Sequence, residues 1–103
     1  MEHAMLLPMH MHRHRLVALL DLGSTSNFLS TDLLRSLWLS IDPCPMLRVL
    51  VANGDRVPCQ GVARNVALTI DTEGFTIGCY GIELGEFDLI LGVDFLRTLG
   101  PIL

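Results

Sequence analysis

Two short stretches far apart in the chain follow one plan. Leu19-Leu20-Asp21-Leu22-Gly23 is an apolar run closed by a glycine and followed by a helical pattern. Leu89-Ile90-Leu91-Gly92 repeats that order ahead of a helical stretch from Val93 to Leu99. Both runs are too short for a core helix and have the aliphatic content of buried strands. Between the two units, Gly, Pro, Asn and Asp recur between apolar runs, which is the punctuation of short strands and turns. The chain is thereby confined to a mainly β fold with one or two brief helices.

The intervening elements read locally. Leu16 to Leu20 is a continuous apolar strand, and the stretch from about Leu6 before it suits a further extended segment. Ser30 or Thr31 caps a short helix carrying Leu33, Leu34, Leu37 and Trp38, with Asp32 at its positive end. Trp38, at helical spacing from Leu34, is assigned to the core. Pro43 and Pro45 then enforce an extended exit. Leu47 to Val51 and Arg56 to Val62 flank Asn53-Gly54, a dipeptide that tolerates positive φ and so favours a tight hairpin. Val66, Leu68 and Ile70 alternate as a half-buried strand does, Asp71-Thr72-Glu73-Gly74 is a turn, and Phe75 to Leu84 returns as a strand. Gly100 and Pro101 stop the last helix.

Composition narrows the function classes. The 103 residues have room for one domain around one core. Half of them are hydrophobic and 17% charged, which argues against a disordered chain. A net charge of −4, with seven Arg, no Lys and no basic run, argues against a nucleic-acid binder, which needs a basic surface to displace counterions. Cys44, Cys59 and Cys79 are odd in number and lack CxxC spacing, so they read as free thiols packed as small hydrophobes in a reducing compartment. His10, His12 and His14 alternate and would share one face of a strand, which makes an incomplete metal site; a solvated strand face or a turn is the simpler reading. No apolar stretch reaches the roughly 20 residues that span a bilayer, and Ala4 to Pro8 is too short for a signal peptide. The expectation is a soluble, intracellular protein of the cytoplasm.

Asp21 follows an apolar strand and precedes a glycine, so its carboxylate falls at a strand end where backbone N–H groups can hold it toward a cleft. Taken alone, Asp-x-Gly-Ser-Thr is also what a loop aspartate in an Asx-turn looks like. The wider segment Ala18-Leu19-Leu20-Asp21-Leu22-Gly23-Ser24-Thr25-Ser26-Asn27-Phe28-Leu29-Ser30 resembles the active-site signature of retropepsins, especially those of Ty3/gypsy-type retrotransposon polyproteins. Val51-Ala52-Asn53-Gly54-Asp55 resembles the flap hairpin of that family, and Phe87 to Leu96 resembles its second strand–Gly–helix unit. Arg97-Thr98-Leu99-Gly100-Pro101-Ile102 is similar to the segment that closes many plant members. Four motifs in the family's order assign residues 14–103 to a retropepsin-like domain. Residues 1–13 form an N-terminal extension or first strand.

The resemblance implies a closed all-β barrel with one or two short helices that is half of an enzyme. Each chain supplies one catalytic aspartate, Asp21, and a homodimer sets two of them across a twofold axis, with no metal or organic cofactor required. Carboxylates about 3 Å apart cannot both ionise, so one holds a proton while the other activates a water against the scissile carbonyl. Leu22, Gly23, Ser24 and Thr25 form the active-site loop, in which Gly23 permits a tight turn and Ser24 is placed to hydrogen-bond the carboxylate. Ala52, Asn53, Gly54 and Asp55 form the flap over an extended peptide or polyprotein substrate.

Leu22 departs from the family, which has Ser or Thr there to bond across the dimer axis. Leucine makes no such bond, and each buried group left unpaired costs on the order of 1–3 kcal/mol. A second reading follows from this departure, in which the fold persists as an impaired dimerisation or peptide-binding module. Asp21-Leu22-Gly23-Ser24-Thr25 also resembles the phosphate-binding hairpin of the actin, Hsp70 and sugar-kinase superfamily. That loop joins two strands between two large domains, whereas this one runs into a helix in a chain of 103 residues. Asp88 reads as a turn residue, Asp94 as a helix-start carboxylate, and Asp55 and Arg56 as solvated near the hairpin tip.

Overall fold

The computed structural model describes residues 4–44, 47–50 and 54–98. The chain opens with a hairpin of two eight-residue strands, β1 (Ala4–Met11) and β2 (His14–Asp21). The turn is His12-Arg13, and both residues have positive φ, 49° and 70°. That geometry matches the twist of the strands it joins. The histidines of this stretch therefore mark a hairpin tip, and among the described residues no group of three or more His, Cys, Asp or Glu side chains is placed to hold a metal ion.

The chain continues through β3 (Phe28–Ser30), α1 (Thr31–Ser36), β4 (Arg48–Leu50), β5 (Arg56–Pro58), β6 (Gly61–Ile70), β7 (Glu73–Ile82), β8 (Leu89–Leu91) and α2 (Val93–Thr98). Six strands close into a barrel in the order β1-β2-β8-β3-β7-β6, and β4 and β5 form a separate two-stranded sheet. The β2–β8 and β3–β7 pairs are parallel and the rest antiparallel. Alternate residues of the long strands point inward: Met9 and Met11, Leu16 and Ala18, Val66 and Leu68, and Ile77 and Cys79 are all buried. Leu34 of α1 and Phe95 of α2 close the core. No helix among the described residues is long and apolar enough to cross a membrane.

Ser30 is the helix cap: its Oγ accepts from the Leu33 N–H at 3.1 Å. The helix is shorter than the leucine spacing indicates, and this corrects the placement of Trp38. Leu37 caps α1 and takes the buried position, while Trp38 adopts a left-handed φ of 53° and is 92% exposed. The reversal is held by the Leu39 N–H donating to the Leu34 carbonyl at 3.3 Å.

The stretch Arg56 to Val62 is likewise two strands rather than one. The Cys59 N–H donates to the Leu47 carbonyl at 3.0 Å, but the next N–H, of Gln60, donates to Gly81 in the barrel at 2.7 Å. The 71–74 turn narrows to Asp71-Thr72, with Glu73 already paired to Ile70. Ala52 and Asn53 of the expected hairpin tip lie outside the described residues, as do Leu99, Gly100 and Pro101.

Candidate active site

The apolar inward alternation of β2 carries the chain to Asp21, the last residue of the strand, which is only 8% exposed. Its Oδ1 accepts from the Gly23 N–H at 2.9 Å, and its carbonyl accepts from the Ser24 N–H at 3.1 Å. A Cβ on residue 23 would lie 3.2 Å from that same carboxylate oxygen. Glycine here provides close approach rather than unusual φ. Ser24 corrects an expectation: its Oγ donates to the Ser26 carbonyl at 2.9 Å and not to the carboxylate. The hydroxyl stiffens the loop, and the backbone orients the acid.

The second strand–Gly–helix unit holds this loop in place. The Val93 N–H donates to the Ser24 carbonyl at 2.8 Å and the Asp94 N–H to the Thr25 carbonyl at 2.9 Å. These are N-terminal N–H groups of α2, which have no partner within their own helix. Asn27, 3% exposed, ties the remaining elements together. Its Oδ1 accepts from the Gly92 N–H at 2.9 Å and its Nδ2 donates to the Gly78 carbonyl at 3.1 Å. Gly78 faces the bulge of β6, where an extra residue lies between Ala63 and Val66 and Asn65 has a φ of 56°. Nothing in the local sequence marks Asn27 beyond its place in a polar cluster, because its partners lie 51 and 65 residues away.

Gly23, Ser24 and Thr25 form one side of a cleft of about 500 Å³, whose other side is Leu47 to Leu50 and Gly54 of the β4–β5 hairpin. Phe28 and Tyr80 form a further wall, their rings tilted with centroids 6.2 Å apart. Leu22 stands beside the buried aspartate with 51% of its surface exposed. Gly54 thus meets the cleft as expected, with a φ of 92°, while Asp55 is exposed and does not line it. Asp94 pairs with Arg97 at 3.4 Å. Asp88 accepts from the Ser30 N–H through its carbonyl, in keeping with a turn role. The three cysteines are free thiols; burial pushes Cys59 up from its ordinary pKa and Cys79 up to about 12.

Comparisons with known proteins agree with this architecture. Over its whole length the chain resembles the EIAV protease solved with the inhibitor HBY-793, with a TM-score of 0.75, 19% identity and 94% of that chain covered. The retroviral protease-like domain of Ddi1 from Leishmania major superposes with a TM-score of 0.70 at 16% identity, over 92% of this chain and 76% of that one. A retropepsin-like aspartic protease from Rickettsia conorii follows with a TM-score of 0.59 at 14% identity, over 91% of this chain and 70% of that one. No curated protein sequence matches the chain. The profile of the family described as retroviral aspartyl protease matches residues 6–100, which span both strand–Gly–helix units and the hairpin between them, and the chain belongs to that family.

Proposed function

We propose that the chain is an aspartic endopeptidase that acts as a homodimer on extended polypeptides. One observation carries the reading: Asp21, the one buried carboxylate among the described residues, ends a barrel strand with its oxygen fixed by a backbone N–H, and the loop that follows it forms one side of an open cleft. Two copies related by a twofold axis bring two such carboxylates together. One retains a proton because like charges at about 3 Å repel. The ionised member draws a proton from the water between them, the water attacks the peptide carbonyl, and the protonated member donates to the carbonyl oxygen. The β4–β5 hairpin closes over the substrate, whose extended backbone adds strand-like hydrogen bonds. The likeness to Ty3/gypsy-type sequences supports a retrotransposon polyprotein as the source, and three free thiols fit a reducing, cytoplasmic setting.

A peptide library digested at pH 4 to 6 tests this, with Asp21→Asn as the control and dimer mass followed by ultracentrifugation. Cleavage by the wild type that vanishes in Asp21→Asn is the expected result. Cleavage that persists in Asp21→Asn removes the proposal. A second reading, a peptide-binding dimer without turnover, draws on the exposed Leu22 beside the acid. In that case the wild type binds peptides and does not cut, and Leu22→Thr restores cutting.

A further inference from the structure

We propose that Arg48 makes this cleft select substrates with an acidic side chain beside the cleavage site, a specificity that rests on the endopeptidase reading. Arg48 is the only side chain carrying a full charge among the described residues lining the cleft, and no Asp or Glu joins it there. Arg35, Arg64 and Arg97 are each tied to an aspartate, whereas Arg48 makes no ion pair among the described residues. Arg56 stands directly across from Leu50 in the hairpin, and Arg48 lies two residues from Leu50, so both guanidinium groups belong to one face of that hairpin. In a chain of net charge −4, this sets a guanidinium group among lining residues that carry no other charge.

The further wall of the cleft has a complementary character. Phe28 and Tyr80 lie against each other and present aromatic surface to the same space. Side chains of an extended peptide alternate in direction, so neighbouring residues of one substrate meet different walls. A glutamate or aspartate directed at the hairpin meets Arg48, while an adjacent apolar residue packs on the aromatic wall. The partly enclosed setting strengthens the ion pair relative to open solvent, and a guanidinium suits a carboxylate in shape as well as charge.

The test compares peptides of one sequence that differ at a single position, Glu, Gln or Lys, at pH 6, where glutamate is ionised. Binding to the Asp21→Asn chain is measured by fluorescence anisotropy, and kcat/KM is measured on the wild type. The expected result is a preference of about fivefold for Glu over Gln at one position, the size a partly exposed ion pair carries. In Arg48→Glu the order inverts, with Lys bound better than Glu. An unchanged Glu-to-Lys ratio in Arg48→Glu overturns the inference, even if the wild type is a competent protease. Absence of cleavage together with an Arg48-dependent binding preference overturns the endopeptidase reading and leaves the acidic subsite standing.

Discussion

At the scale of single residues, Asn27 does the most with the least sequence warning. Its side-chain amide satisfies a Gly92 N–H and a Gly78 carbonyl, and Asn27→Ala leaves both without partners in a buried site. Two such losses amount to about 2–4 kcal/mol, read as a lower urea midpoint. Asp21, by contrast, was legible from its place between an apolar strand and a glycine, and Ser30 from its place before Leu33 and Leu34. Trp38 is not legible in this way, because helical spacing does not say where the helix stops. The thiols give a second prediction. Burial lifts Cys59 and holds Cys79 near 12, so a thiol reagent at pH 8 labels the partly exposed Cys44 first, Cys59 more slowly and Cys79 only after unfolding. The sign of the linkage follows. The folded state keeps the Cys79 proton above the ordinary value of 9.0, so its contribution to stability is intact below about pH 9 and is lost as pH rises toward 12. Urea midpoints therefore fall above pH 9, and the fall is shallower in Cys79→Ala.

At the scale of elements, the repeated strand–Gly–helix unit was visible in the sequence, but its purpose was not. The second unit exists to grip the first: N–H groups from Gly92, Val93 and Asp94 all end on the Ser24–Asn27 segment. Periodicity reports which residues form a strand and says nothing of which strands meet, so the parallel β2–β8 pairing had no local signature. The hairpin is subject to the same limit, since the exchange of partners between Cys59 and Gln60 depends on Gly81 in a distant strand. The grip leaves no space at Gly92. A Cβ there would sit 2.6 Å from the Ser24 carbonyl oxygen and closer still to that of Ser26. Backbone oxygens held by other hydrogen bonds do not give way as a flexible side chain does. Gly92→Ala is expected to cost about 2–3 kcal/mol, or on the order of 10–20 °C in Tm for a domain of this size. Gly74→Ala is the matched control: nothing lies within 4 Å of its added Cβ, and its Tm stays level or rises slightly.

At the scale of the whole molecule, one chain contributes one Asp21, so the proposed catalysis by a pair of them makes activity a question of association. The sequence announced both halves of that statement, a lone signature aspartate and a Leu22 where the family bonds across the axis. The structure adds that Leu22 is half exposed beside an acid that is itself buried. The loop tolerates leucine within one chain, so in the proposed dimer the burden falls on the contact between chains. Specific activity is therefore expected to fall on dilution, in step with the dimer fraction seen by ultracentrifugation, and Asp21→Asn added in excess to wild type should suppress it through mixed dimers. Leu22→Thr returns a hydroxyl able to bond across the axis, worth about one net hydrogen bond, and should tighten the dimer about tenfold. Leu22→Asp, which sets two further negative charges against the dyad, should leave monomers. If specific activity instead holds constant down to concentrations where only monomer sediments, two Asp21 carboxylates are not the catalyst, and the acid partner must come from within one chain.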